Sequence, residues 1–282
     1  MFRSLLFIPG NNPSMLQNAD VFITDAVIFD LEDAISIKEK NNARNLVRNY
    51  LLTSSVLPKN VVLRVNSFDS QWFKKDIELL LTGKIDYLLV PKIDNDTLRL
   101  VDNYLNDFEI ANKLQKTKLI ALIETVKGVV QLPLFAENNR LFALFLGAED
   151  LANNLEIKRT EESKEIFYAR SQVIYNAISN DLIPIDTPYT NINNVEGLKI
   201  DCEKAFSFGM KAKAAIHPNQ LETINQVFSP SSEDIEWAKG VVEKFNENPS
   251  LGVFQYKGKM IDKPIINRAQ KILEKAKLFD LL

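Results

Sequence analysis

The sequence predicts a closed (β/α)8 barrel, a TIM barrel, followed by a C-terminal helical extension, and three observations predict it. Eight apolar, β-rich runs each end in polar residues; each is followed by a stretch of helical periodicity; and the runs recur every ~20 to 35 residues, the spacing a βα unit requires. Eight such units in about 220 residues suit a closed barrel better than an open sheet. The barrel is expected over residues 1–228 and the extension over residues 229–282.

The first run, Ser4 to Pro9, is closed by Pro9-Gly10, and Asn12-Pro13-Ser14 reads as a helix start with Pro13 just inside it. Ala26 to Asp33 comes next and opens on Ala26-Val27-Ile28-Phe29, nearly continuous in apolar residues, as a parallel strand covered on both faces should be. Lys38 to Leu51 then places Ala43, Leu46, Val47 and Tyr50 at helical spacing, with Lys and Arg on the other side. The remaining runs are Val61 to Asn66, Tyr87 to Lys92, Leu119 to Thr125, Leu141 to Asp150, Ile183 to Thr190 and Ala212 to His217. Beyond them Ser229-Pro230-Ser231 is a break, and a helix capped at Ser232 runs to about Asn246. Pro249 to Lys263 is extended and turn-rich, and a last helix covers Pro264 to about Phe279.

With 282 residues, 46% hydrophobic and 25% charged, the chain reads as a soluble globular protein with ample core. A net charge of −3 and the lack of a basic stripe interleaved with aromatics exclude nucleic acid as an expected partner. The single Cys202 supports neither a disulfide framework nor a cysteine-based zinc site, so a reducing, cytoplasmic compartment is expected. Met1 to Pro9 is too short for a signal peptide, and no apolar stretch approaches the ~20 residues that span a bilayer, so no membrane partner is expected.

In a barrel the polar ends of the runs share one rim, where active sites sit. Those ends hold Asp30, Glu32, Asp33, Arg64, Asn66, Lys92, Glu124, Glu149, Asp150, Asp186 and His217. Glu124 and Asp150 close the fifth and sixth runs, and two neighbouring carboxylates suit Mg2+, which takes one or two protein carboxylates and fills its octahedron with water and substrate. Either could instead cap the next helix or pair with Lys92 or Arg64. In Asp30-Leu31-Glu32-Asp33, alternation sends Asp30 and Glu32 to one face and Asp33 to the other, so not all three can enter one site. Arg64 at a buried strand end needs an anion; a substrate carboxylate, a developing enolate oxygen or Glu32 would serve. His217, the sole histidine, precedes Pro218 and reads more readily as a structural hydrogen-bonder than as a base. Glycine-rich phosphate loops are absent, although the turn from Phe7 to Pro13 could offer amides to an anion.

Several ordered motifs together carry a resemblance. Arg3-Ser4-Leu5-Leu6-Phe7-Ile8-Pro9-Gly10-Asn11-Asn12-Pro13, Phe29-Asp30-Leu31-Glu32-Asp33-Ala34, Leu63-Arg64-Val65-Asn66, Ile123-Glu124-Thr125, Gly147-Ala148-Glu149-Asp150-Leu151 and Ile216-His217-Pro218-Asn219-Gln220 resemble the citrate lyase β-subunit family of the HpcH/HpaI aldolase superfamily. The likeness extends over nearly the whole chain, through Asn191 to Gly197 and into Gly258-Lys259-Met260-Ile261-Asp262-Lys263-Pro264. It implies a Mg2+-dependent carbon–carbon lyase acting on a 3-hydroxyacyl thioester, in the citrate lyase case a citryl thioester cleaved to oxaloacetate and acetyl thioester. The acyl group would ride on an acyl carrier protein or on CoA. By the same resemblance Glu124 and Asp150 hold Mg2+, Arg64 binds substrate and stabilises the enolate oxygen, and Glu32, Asp33, Ala148 and Glu149 contact substrate. Asp262 is the acid–base aspartate and reaches a neighbouring subunit's site, which implies a homo-oligomer, trimer or hexamer, alone or within a citrate lyase complex. An aspartate before Lys263-Pro264 is equally well suited to cap the last helix.

Rival readings are a stand-alone malyl- or citramalyl-CoA lyase, synthase or thioesterase, and a non-catalytic scaffold subunit. Joint retention of Arg64, Glu124, Asp150 and Asp262 argues against the scaffold, and the lack of a histidine near the first two runs argues against a histidine-based metal aldolase. One segment departs from the family pattern: Gly209-Met210-Lys211-Ala212-Lys213 stands where Gly-Phe-Asp-Gly-Lys is usual, which is expected to alter charge beside the site.

Overall fold

Strands that are apolar on both faces must be covered on both, and this chain meets that need by closing its strands on themselves. The computed structural model describes residues 1–247 and 252–282. In it β1 (Ser4–Pro9), β2 (Ala26–Asp30), β3 (Val61–Arg64), β4 (Tyr87–Val90), β5 (Lys118–Ile123), β6 (Leu141–Leu146), β7 (Ile183–Asp186) and β8 (Ala212–Ala215) form a closed barrel in chain order. All pairings are parallel, and β1 joins both β2 and β8. The intervening helices are α1 (Pro13–Gln17), α2 (Lys40–Thr53), α3 (Phe73–Ile77), α4 (Asn95–Asn112), α5 (Val126–Phe135), α6 (Ala148–Asn154), α7 (Phe167–Ser179) and α8 (Val195–Phe208). After β8 come α9 (Leu221–Phe228), α10 (Ser232–Glu247), β9 (Val253–Tyr256), β10 (Lys259–Asp262) and α11 (Lys263–Leu278).

Alternate residues fill the barrel. Ala26 and Ile28, Val62, Leu89, Ile120 and Leu122, Ala143 and Phe145, Ile185, and Ala212 and Ala214 share one buried core. The strands stop short of the expected runs: β2 ends at Asp30 rather than Asp33, β6 at Leu146 rather than Asp150, β7 at Asp186 rather than Thr190. The polar ends of those runs leave the ladder to make rim loops and helix starts. Two steps along in the inward phase from the core residues stand Asp30, Arg64, Glu124, Thr187 and Ile216, which thus form a chemical layer on top of an apolar one.

The basic face expected for the helix after β2 is not simply solvated. Lys40 and Arg44 are buried: the Lys40 ammonium donates to the carbonyls of Leu31 (2.8 Å) and Glu32 (2.6 Å), and Arg44 pairs with Asp76 at 2.7 Å. Asp76 also accepts from the Asn66 side chain at 2.6 Å, and that amide donates to Leu31 O at 2.9 Å. The rim segment after β2 has orphan carbonyls that only cations and amides brought by α2 and the β3 loop can satisfy, which is why these polar groups turn inward.

Contacts divide the chain into two compact units, Met1–Ile224 and Asn225–Leu282. In the second, α10 and α11 and the β9–β10 hairpin enclose Ala238, Val241, Ile261, Ile266 and Ala269. Lys257 and Gly258 link the strands with φ of 45° and 76°, the left-handed pair of a two-residue turn. The segment expected to be extended is therefore a hairpin from Val253 on, while Pro249 lies outside the described residues. The cap of α10 is Ser231 rather than Ser232: its hydroxyl accepts from Asp234 N at 3.0 Å and bonds the Asp234 carboxylate at 2.8 Å. Among the described residues no helix is long and apolar enough to cross a membrane.

Candidate active site

Parallel register sets Asp30 beside Arg64 on adjacent strands. The guanidinium forks onto the aspartate, Nε to Oδ1 at 2.7 Å and Nη2 to Oδ2 at 2.6 Å, and lies over the Phe7 ring at 5.0 Å. Its Nη1 reaches Asp33 Oδ2 at 3.1 Å and Glu32 Oε2 at 3.4 Å. All three acids therefore gather on one arginine. Alternation does not separate them because the strand has already ended, and the Asp30 carboxylate accepts from the Glu32 and Ala34 amides (2.8 and 3.1 Å), curling the segment back on itself. Burial alone would lower the Arg64 pKa, but Asp30, Glu32 and Asp33 together outweigh it and the pKa is raised, so the guanidinium stays charged. Asp30 is thereby the main anion that the strand-end arginine needs.

Glu124 follows β5 and is buried. Its Oε1 accepts from Lys92 N at 2.9 Å; Lys92 adopts a left-handed φ of 53°, rare for a residue with a Cβ. Gly147 passes so close that a Cβ there would lie 2.7 Å from Glu124 Cβ and 3.0 Å from Oε2, so only glycine fits. Asp150 and Glu149 lie in the first turn of α6 just beyond it. Burial, then the nearby charges of Glu32 and Asp150, push the Glu124 carboxyl up to about 8. Burial likewise pushes Glu32 up to about 7, against the pull of Arg64. The buried Glu32 Oε2 has no hydrogen bond; its approach to Arg64 is an ion pair too long to be one.

These groups surround a cavity of about 290 Å³ at the C-terminal ends of the strands. Arg64, Asp33, Glu124, Ala148, Glu149 and Asp150 all line it, and Glu32 stands behind Arg64 rather than at the wall. Phe7, Leu122, Phe145, Pro188 and Ile216 supply apolar surface. Among the described residues no three His, Cys, Asp or Glu side chains converge into a ready-made metal cage. What exists is an oxygen-only pair, Glu124 and Asp150, in a region with more buried carboxylate than cation. A hard divalent ion that leaves most of its coordination to water and ligand suits that donor set.

Other rim candidates fall elsewhere. Asp186 is out of the inward phase and meets Arg170 (2.8 Å) and Lys213 (2.6 Å) behind the barrel wall, where Asp201 completes a closed set of two acids and two bases. His217 is exposed, and its Nδ1 accepts from Asn219 N at 3.2 Å, capping a short turn. Lys211 and Ala212 do not line the cavity: they stand at the entry of β8, with Ala212 in the barrel core, so the expected change of charge beside the site does not occur. Asp262, in the second unit, caps α11 by accepting from Ile265 N at 3.2 Å. Thr187 is a cavity residue that the rim chemistry passed over; its signal was its phase with Ile183 and Ile185.

Comparison with known proteins shows which family shares this fold. The family model HpcH/HpaI aldolase/citrate lyase matches residues 3–218. The chain is 36% identical to the citrate lyase subunit beta of Haemophilus influenzae, covering 98% of this chain and 97% of that one. It is 32% identical to a (3S)-malyl-CoA thioesterase of Cereibacter sphaeroides, covering 98% and 94%. A CitE protein of Mycobacterium tuberculosis, solved in complex with magnesium, acetoacetate and coenzyme A, superposes with a TM-score of 0.79 at 26% identity over 97% of each chain.

Proposed function

The chain belongs to the HpcH/HpaI aldolase/citrate lyase family, and from that premise we propose that it is a Mg2+-dependent carbon–carbon lyase that cleaves a citryl thioester to oxaloacetate and an acetyl thioester. The observation that carries the proposal is the unbalanced carboxylate cluster: Glu124 and Asp150 on one cavity, with Glu124 held partly protonated by burial and by its acidic neighbours. Mg2+ held by these two carboxylates would offset that charge and supply a Lewis acid for the oxo-acid oxygens.

The reaction removes the proton of the C3 hydroxyl and breaks the C2–C3 bond. Its electron pair passes to C2 and the thioester oxygen as an enolate, C3 becomes the ketone of oxaloacetate, and protonation at C2 yields the acetyl thioester. Arg64 stabilises the enolate oxygen. Asp30 occupies its Nε and Nη2, so the Nη1 edge, shared with the exposed Asp33 and the buried Glu32, is the one a ligand meets. Charge that develops only in the transition state is where such a cation does most. Asp33, Ala148 and Glu149 contact substrate from the wall, and Glu32 acts through Arg64. Asp262 is the acid–base residue and is delivered to a neighbouring subunit's site in a homo-oligomer. If so, mixing inactive Asp262→Ala with inactive Arg64→Ala subunits restores roughly a quarter of sites, and no recovery in exchanged oligomers would defeat the shared site.

The carrier is the acyl carrier protein of a citrate lyase complex, or CoA, whose pantetheine arm is chemically the same. A second reading is supported by the 32% identity to malyl-CoA thioesterases. Both are tested by incubating purified protein with citryl and malyl thioesters on either carrier. We expect oxaloacetate and acetyl thioester, and loss of the reaction with chelator. Full-rate cleavage without metal would overturn the metal assignment; malate with free thiol and no carbon–carbon cleavage would favour the thioesterase.

A further inference from the structure

Thr187 follows β7 directly and is the next inward residue after Ile183 and Ile185. It is 1% exposed yet lines the cavity, beside Ala148 and the helix start that carries Asp150. Its position is fixed from behind. The Thr187 carbonyl accepts from the Lys213 ammonium at 2.7 Å, and Lys213 is held in turn by Asp186 and Asp201 at 2.6 and 2.7 Å, with Arg170 closing the set. A buried charge cluster in which every oxygen of both carboxylates is bonded leaves the residue little freedom.

Its hydroxyl accepts from Ala148 N at 3.2 Å, which uses a lone pair and leaves the hydroxyl proton. Among the described residues no carboxylate takes that proton, although Glu124, Glu149 and Asp150 share the same cavity. A buried hydroxyl proton without an acceptor is disfavoured unless a ligand provides one. Apart from Arg64, whose Nε and Nη2 are taken by Asp30, the charged groups of the wall are acids and much of the rest is apolar, so a neutral, fixed donor is the kind of group that can hold a carboxylate on the Thr187 side.

We infer that the Thr187 hydroxyl donates a hydrogen bond to a carboxylate oxygen of the bound 2-oxo acid, so that Thr187 reads the oxo-acid half of the substrate. This rests on the lyase reading above for the presence of an oxo acid, and on this chain's own geometry for the residue. It makes Lys213 and its partners positioning residues for substrate recognition.

The test is calorimetric binding of Mg2+ alone, and then of oxaloacetate and pyruvate with Mg2+ present, to wild-type protein and to Thr187→Val and Thr187→Ser. Valine keeps the volume and removes the hydroxyl; serine keeps the hydroxyl and loses only the methyl. We expect the valine variant to bind the oxo acids about tenfold to a hundredfold more weakly, the range for a lost hydrogen bond to a charged group, with Mg2+ affinity within about twofold and serine restoring the oxo acids. If the valine protein does not fold, Thr187→Cys, of similar size and a far weaker donor, should show the same loss. Unchanged oxo-acid binding in the valine or cysteine protein would overturn the inference. So would an equal loss of Mg2+ and oxo-acid binding, which would make Thr187 only a support for α6, or a failure of serine to restore. Should the wild-type protein with Mg2+ bind no 2-oxo acid, the lyase reading itself fails and takes this inference with it.

Discussion

Two buried charge clusters lie within one barrel, and they behave oppositely. Behind β7 and β8, Arg170, Lys213, Asp186 and Asp201 balance two cations with two anions, and every carboxylate oxygen is bonded. Lys213 is raised and Asp201 lowered in pKa, each despite burial, because the opposite charges win. At the rim, Arg64 faces Asp30, Glu32 and Asp33, while among the described residues no cation is bonded to Glu124 or Asp150; here burial wins and the Glu32 and Glu124 carboxyls are pushed up. A balanced cluster is a structural joint. An unbalanced one is, on the reading proposed above, where a cation would bind.

The largest effect should come from breaking the balanced cluster. Lys213→Met leaves two buried acids with one base and should lower unfolding free energy by ~3–5 kcal/mol, read from denaturant melts; a loss below about 1 kcal/mol would mean that water already shares that cluster. Next is the lone rim cation. Arg64→Lys keeps the charge but loses the fork, and kcat should fall about a hundredfold or more. A raised KM with unchanged kcat would reassign Arg64 to ground-state anchoring.

The raised Glu124 carboxyl predicts a pH dependence. A carboxyl raised from 4.5 to about 8 is preferentially protonated in the folded protein, so metal-free stability should decline as pH rises from near 5 through 8. On the proposed assignment of Glu124 as a ligand, Mg2+ must displace that proton. Apparent Mg2+ affinity should therefore weaken by about tenfold or more between pH 8.5 and 6.5, and Mg2+ should raise the melting temperature more at the higher pH. A pH-independent Mg2+ affinity would place the metal elsewhere. The smallest effect is Glu32→Gln in metal-free protein at pH 8: it removes a charge whose Oε2 lacks a hydrogen bond, and stability should change by no more than about 1 kcal/mol, measured by urea melts.

Sequence alone was enough for the barrel, because eight doubly apolar runs at βα spacing have few other ways to bury both faces. It also placed Arg64, Glu124 and Asp150 on one rim, since run ends of a parallel barrel must share an end. Which rim residues face the cavity was decided by phase and by where each strand stops. Asp186 and Thr187 are neighbours in the chain, yet one points behind the wall to Arg170 and the other into the cavity. The three acids after Phe29 were split by assuming a strand that had already ended, and Lys40 and Arg44 were given to solvent by helical periodicity although orphan carbonyls and Asp76 draw them inward. Periodicity is a local property and reads local geometry well. Pairing of buried charges joins residues tens of positions apart, and only the closed tertiary structure settles which cation meets which acid and which acids are left for a ligand.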